Sequence, residues 1–450
     1  MVQKVLEHFI MIGIKFFLLF LILIIFPASS SAEEVIVFLG DSISQLGIYP
    51  NELQLWYALK YPRDKRIIYN AGMAGDQAKN AVLRLQQDVL CFKPDHVYIL
   101  FGINDIQRHL YRNDTWEIYA AQRQKAIREY YDSMSKLVEL LRRHNIAVTL
   151  LSPSPYDQYS ALPHPSEGNI NDEGLSKVTT ELFRLSKEKN IPLIDIFSPM
   201  TVLLKKYPGL QLCGSDRIHP LSNGQRLMAA LIFEKNDIPH PAIETNYRNR
   251  TISAKHCSVV RTSFSENCLS WEIQPEQLPF PDEKIRQRLL NVYDFSKLDS
   301  MRFAITGLPL GTWSLKSGDN VIISADAGRW GAGVDLSSLK LFPPQMQAQK
   351  ALAVQRELLK LQTEYRLCRL AEVKIRSVGG NPTNSSSREW GMTEFLKKSG
   401  NHQYYKYVFD IFRKKQTTAN DFFKQYKILV DKLYSITQPE IFHLTLQKEK

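Results

Sequence analysis

The sequence predicts an α/β domain built on a parallel sheet, then a small β-rich module, then a helical C-terminal region. Three observations point there. Short apolar runs closed by glycine or proline alternate with helical patterns up to about residue 235. Beyond Pro239 the chain breaks into short, turn-punctuated runs. From Gln345 onward helical patterns dominate. At 450 residues the chain is too long for one ordinary core. The expected divisions are 1–32, 33–240, 241–344 and 345–450.

The N-terminus comes first. Lys4 and Lys15 precede an unbroken apolar run, Phe16 to Phe26. Pro27 and small residues follow through Ala32, then Glu33 and Glu34. A charged start, a short apolar centre and a small-residue exit form a secretory signal peptide over residues 1–32. The alternative is a retained membrane anchor, since the apolar stretch from Phe9 approaches spanning length but for Lys15. Both readings place the remainder outside the cytoplasm, secreted or periplasmic.

Val35 to Leu39 is an apolar run closed by Gly40. His96 to Phe101 ends at Gly102, and Ile146 to Leu151 ends at Ser152-Pro153. Ile191 to Phe197 is a fourth strand candidate. The clearest helix between them spans about Thr115 to His144. Strands alternating with helices imply a parallel sheet covered on both faces. Ligands in such sheets sit beyond the carboxyl ends of the strands.

From Thr251 to Ala325 the runs Ser258–Thr262, Cys268–Ile273, Met301–Ile305 and Val321–Ser324 read as strands. Gly307, Gly311 and Gly318 fall at their turns. Gln345 to about Ile375 is a helix. An aromatic-rich helical tail follows, with Trp390, Tyr404, Tyr405 and Phe409 among its large rings. These aromatics are expected to be packing residues.

Composition narrows the function classes. The apolar fraction is 44% and the charged fraction 23%, both globular values. Five cysteines cannot all pair within one chain. Cys257 and Cys268 either staple a hairpin or remain thiols. No CxxC or Cys/His cluster suggests a metal, and no cofactor is expected. The net charge is +11, and the last hundred residues hold 18 Lys and Arg against 10 Asp and Glu. Mixed charges of this kind read as a solvated helical face. Attraction to an anionic envelope or membrane surface is the alternative. No motif supports nucleic-acid binding.

Four short motifs carry the chemistry: Gly40-Asp41-Ser42, Asn70-Ala71-Gly72-Met73-Ala74-Gly75, Gly102-Ile103-Asn104-Asp105 and Asp216-Arg217-Ile218-His219-Pro220. A serine hydroxyl needs a base within reach and a third group to orient that base. Asp216, three residues before His219, can supply its carboxylate to the far ring nitrogen. The reaction also needs donors aimed at a developing oxyanion. The backbone N–H groups of Ser42 and Gly75 and the side-chain amide of Asn104 are candidates. Each motif alone is an ordinary turn or cap. All of them together, in order and at strand ends, are not.

Here the sequence resembles the SGNH (GDSL-type) hydrolases over about Val35 to Phe233. Ser42, Gly75, Asn104 and His219 would be the four name-giving residues, with Asp216 completing Asp-x-x-His. Ile43 stands where the name-giving pattern has leucine. The Gly-x-Ser-x-Gly elbow of another hydrolase fold is absent. The resemblance implies a flavodoxin-like three-layer α/β/α domain and hydrolysis through an acyl-enzyme without metal. It also suggests that the Ser152-Pro153-Ser154-Pro155-Tyr156-Asp157 loop faces substrate. The expected substrate is an O-acyl, foremost O-acetyl, ester on a carbohydrate, or an ester-bearing small molecule. The alternatives are a lysophospholipase or lipid esterase, and a silent glycan- or envelope-binding protein.

Overall fold

The computed structural model describes residues 33–112, 116–163, 165–166, 169–281, 289, 292–400, 402–415 and 418–449; the expected signal peptide, residues 1–32, lies outside them. Five strands come first: β1 (Glu34–Gly40), β2 (Arg66–Gly72), β3 (His96–Leu100), β4 (Ala147–Leu151) and β5 (Leu193–Ile194). They form one parallel sheet in the order β2-β1-β3-β4-β5. The helices among and after them are α1 (Ser42–Gln45), α2 (Ile48–Lys60), α3 (Ala78–Asp88), α4 (Ala120–Arg143), α5 (Ser176–Lys189), α6 (Phe197–Lys206) and α7 (Ser222–Phe233). Helix α2 packs with α7, while α4 packs with α3 and α5. These two groups form the outer layers around the sheet. Ile36 to Leu39 are all buried, alternate positions alike, as a strand covered on both faces requires. The strand order reverses direction between β1 and β3. That switch point is where open α/β sheets hold their ligands.

Two elements differ from expectation. Asn70-Ala71-Gly72 is the end of a full strand, β2, not merely a loop. The Ile191–Phe197 run yields only the two residues of β5. Pro192 has no N–H to donate to a ladder, and α6 already begins at Phe197.

The second region contributes β6 (Ala242–Asn246), β7 (Thr251–Lys255), β8 (Cys257–Ser265), β9 (Cys268–Pro275), β10 (Arg302–Thr306), β11 (Thr312–Ser317), β12 (Asn320–Asp326), a short helix α8 (Ala327–Ala332) and β13 (Val334–Asp335). Four helices follow: α9 (Pro343–Ser377), α10 (Ser385–Lys398), α11 (His402–Lys415) and α12 (Ala419–Thr437). The chain then ends in a strand that sequence reading missed, β14 (Phe442–Lys448). It enters the middle of a five-stranded sheet, β12-β11-β14-β9-β8, beside a four-stranded one, β13-β10-β6-β7. Alternate residues point inward: Leu269, Trp271 and Ile273 on β9, Leu444 and Leu446 on β14, Trp313 and Leu315 on β11. Trp271 meets Phe303 of the other sheet at 6.0 Å between ring centroids.

Pairing of β8 with β9 sets Cys268 opposite Ser265 and Cys257 opposite Pro275. The two cysteines stand at opposite ends of the hairpin, roughly 25 Å apart at the rise of an extended strand. The staple is therefore excluded, and all five cysteines are free thiols.

The later regions are built into the α/β part. One buried core runs from β1 to β14. Lys60 on α2 pairs with Asp299 at 2.7 Å, both 1% exposed. The other Asp299 oxygen accepts the Phe280 N–H at 2.9 Å. Trp56 stacks on Phe280 at 4.7 Å. A buried pair satisfied in this way is costly to break from one side, about 3–5 kcal/mol.

Helices α9 and α12 also seal the edge of the parallel sheet. β2 is an edge strand, and its outward backbone groups would otherwise lack partners. The Ile68 N–H donates to Gln54 at 2.8 Å, and its carbonyl accepts from Tyr426 at 2.6 Å and Gln362 at 3.1 Å. The Arg66 N–H donates to the Tyr434 oxygen at 2.9 Å. The Gly72 carbonyl accepts from Arg366 at 2.9 Å. The guanidinium groups of Arg84, Arg366 and Arg369 converge on Asp88. Burial alone would raise that carboxyl, but the three cations outweigh it and hold it at about 2.

Candidate active site

Residue 42 occupies the first position of α1, where the chain turns out of β1. The Asp41 carboxylate caps this turn by accepting the Ile43 N–H at 2.9 Å. Asp41 is fully buried, and burial pushes its carboxyl up to about 7. The turn lies hard against the end of β2. A Cβ on Gly72 would come within 2.2 Å of the Gln45 nitrogen, so only glycine permits the approach. Asn70 braces the same turn. Its amide donates to the Ser44 carbonyl at 2.7 Å while its oxygen accepts the Gly72 N–H at 2.7 Å.

The segment before α7 brings His219 to Ser42. His219 Nε2 lies 2.8 Å from Ser42 Oγ, and His219 Nδ1 lies 2.5 Å from Asp216 Oδ2. The second Asp216 oxygen accepts the N–H groups of Ile218 and His219 at 3.0 and 3.1 Å. Partial burial would raise the Asp216 carboxyl. These hydrogen bonds to its ionised form outweigh that and hold it well below the usual carboxylate range. With Nδ1 donating to the carboxylate, Nε2 is left as the acceptor facing the hydroxyl.

Arg217 holds this segment down. It is buried, with a left-handed φ of 63°, and its guanidinium donates to the carbonyls of Asp157 and Ser160 at 2.8 and 2.9 Å. Here the Ser152–Asp157 loop differs from expectation. All six of its residues are buried. The loop supports the histidine segment instead of facing a ligand.

Gly75 and Asn104 stand across the cleft. Gly75 has φ +75°, and a Cβ there would meet open space, so the glycine serves backbone conformation and not packing. The Asn104 amide donates one hydrogen to the Asp76 carbonyl at 2.9 Å, leaving its other hydrogen for a further partner. Asp105, beside it, accepts the Ala78 N–H at 2.8 Å at the start of α3, and burial raises its carboxyl to about 7.

The cleft between these groups measures about 390 Å³. Ser42, Gly75, Asn104 and His219 all line it, with Asp216 behind the histidine. The structure thus brings the five sequence-expected residues together. It also adds residues that sequence reading missed. Leu46, Ala74 and the rings of Tyr404 and Tyr405 form an apolar wall, and Arg108 lies on the rim toward Asn104. Two of the tail aromatics expected to be packing residues therefore face the cleft. Gln45 ties them to the Gly75 side of the cleft. Its oxygen accepts the Ala74 N–H at 2.7 Å, and its amide donates to the Tyr404 oxygen at 2.9 Å. Beneath them Met73 joins a second buried cluster with Leu367, Ile375, Met392, Phe409 and Phe412 from α9, α10 and α11. Among the described residues, no group of three or more His, Cys, Asp and Glu is placed to hold a metal ion.

Comparison with known proteins bears on this arrangement. The family of GDSL-like lipases and acylhydrolases matches residues 38–227. An acetylxylan esterase of Geobacillus stearothermophilus is 25% identical over 218 residues, 44% of this chain and 90% of that protein. An uncharacterized lipoprotein of Bacillus subtilis (strain 168) is 26% identical over 202 residues, 40% of this chain and 78% of that protein. Among solved structures, a gut microbial diltiazem-metabolizing enzyme superposes with a TM-score of 0.84 at 21% identity, over 93% of this chain and 98% of that one. That likeness shows that the whole fold recurs, with its β-rich and helical parts.

Proposed function

Because residues 38–227 are a GDSL-like lipase/acylhydrolase domain and the chain is an ester-hydrolysing enzyme, we propose that it is an exported serine esterase removing O-acetyl groups from a carbohydrate. Ser42 is the nucleophile, His219 its base and Asp216 the group that orients the base. The observation that carries this reading is the unbroken hydrogen-bonded relay from Asp216 through His219 to Ser42 at the mouth of the cleft. Similarity to an acetylxylan esterase supports the substrate class. The apolar run and small-residue exit within residues 1–32 support export.

In the proposed reaction the Ser42 oxygen attacks the ester carbonyl while His219 Nε2 takes its proton. The carbonyl oxygen, now negative, accepts from the backbone N–H groups of Ser42 and Gly75 and from the free hydrogen of the Asn104 amide. As the intermediate collapses, His219 returns the proton to the departing sugar hydroxyl, leaving acetyl-Ser42. Water, deprotonated by His219, attacks this ester in turn, and Ser42 departs with its proton restored. Asp216 stabilises the imidazolium in both halves.

The apolar wall of Leu46, Ala74, Tyr404 and Tyr405 favours a second reading, a lipid-directed esterase. Hydrolysis of nitrophenyl acetate, butyrate and decanoate by the protein lacking residues 1–32 separates the two. Ser42-dependent turnover highest on acetate is expected. Highest turnover on decanoate would overturn the carbohydrate reading in favour of lipid.

A further inference from the structure

A second cavity, of about 480 Å³, opens beside the catalytic cleft. The two share Gly75, Asn104 and Arg108, so they form one continuous groove past the oxyanion side. Among the described residues its remaining polar lining is Gln77, Gln107, His109 and Arg112, with no carboxylate. Arg108 is the hinge of this groove. It lines both cavities, is half-buried, and pairs with no carboxylate among the described residues. Several other arginines carry carboxylate partners, as Arg84 does in Asp76 and Asp88, or Arg413 in Glu389 and Asp410. A half-buried guanidinium with no counter-ion among the described residues, in a groove continuous with the cleft, is a site for an anion supplied from outside.

From this groove we infer that the substrate is an acidic sugar ester, an acetylated uronate whose carboxylate is held by Arg108. The inference rests on the serine-esterase reading above. The sizes agree with it. An acetyl group fills a small part of the cleft, and the joined volume leaves room for a ring on the far side of Asn104. A planar carboxylate on that ring matches the guanidinium fork, which donates two parallel hydrogen bonds. The glutamine amides at 77 and 107 offer neutral donors and acceptors for its hydroxyls.

The test compares acetate release from acetylated methyl glucuronoside with release from the corresponding glucuronamide, which has the same shape without the charge. An acetylated sugar 6-sulfate is the third substrate. The acid is expected to exceed the amide in kcat/KM by about tenfold, the size of one charge-assisted bidentate contact. The ratio should narrow as salt is raised. In Arg108→Gln it should fall toward one. Equal rates for acid and amide, or a preference that survives Arg108→Gln, would overturn the inference. Preference for the sulfate would overturn the carboxylate assignment. If neither glucuronate derivative is cleaved while nitrophenyl acetate is, in a Ser42-dependent way, the inference fails and the esterase reading stands. If nothing is cleaved, the esterase reading itself fails.

Discussion

Ser42→Ala is expected to lower kcat on nitrophenyl acetate by about 10⁴- to 10⁶-fold. The size follows from the site's geometry. The Ser42 hydroxyl meets His219 at 2.8 Å, and the same imidazole is anchored on its far side by Asp216. Alanine keeps the backbone N–H at 42, so the proposed oxyanion donors remain. What disappears is the covalent route, and residual turnover must come from water attacking a bound, polarised ester. The fold should be unaffected. Ser42 is only half-buried, and its hydroxyl bonds to the partly exposed His219 ring, not to the core. A thermal midpoint matching the unsubstituted protein, with turnover lost, is the expected pair of results. Loss of less than about tenfold would remove Ser42 from the chemistry.

Asp216→Asn is expected to cost about 10³- to 10⁴-fold in kcat while the structure is retained. One Asp216 oxygen accepts two backbone N–H groups, so the asparagine oxygen would take that position. Its NH₂ would then face His219 Nδ1. Two donors cannot share a hydrogen bond, and the ring would shift its proton to Nε2. A protonated Nε2 cannot accept from Ser42. The carboxyl of Asp216 is held well below the usual range, so it stays ionised at any pH suited to assay. Activity lost on mild acidification therefore does not report protonation of Asp216. Asp216→Asn retaining a tenth or more of the activity would show that the carboxylate is not the orienting group.

The α/β core and the proposed catalytic residues were legible in the sequence for one physical reason. In a parallel sheet the loops after β1, β2 and β3 converge at one end, so short motifs that follow apolar runs are brought together. Ser42, Gly75 and Asn104 obey this rule, and Asp216 and His219 carry their geometry within four residues. Local signals also revealed the long helix at Gln345 and the strand at Cys268. Tyr404 and Tyr405 were not legible. Their place beside Ser42 depends on α11 packing through Phe409 and Phe412 against Met73, more than 300 residues earlier. Nothing local separates them from ring residues such as Phe422, which is buried. β14 was missed because its partners, β9 and β11, are far away in the chain. The choice between a stapled hairpin and free thiols at Cys257 and Cys268 stayed open because spacing along the chain says nothing of register. The loop at Ser152 misled because it supports the site from behind through Arg217.

The central claim is that Ser42 is the nucleophile of an active esterase, and covalent labelling tests it most directly. The protein lacking residues 1–32 would be treated with a serine-directed phosphonate, digested, and its peptides weighed. One adduct on the peptide bearing Ser42, formed as activity is lost and absent from Ser42→Ala, is the expected result. An adduct on another residue, or full loss of activity with Ser42 unmodified, would contradict the account.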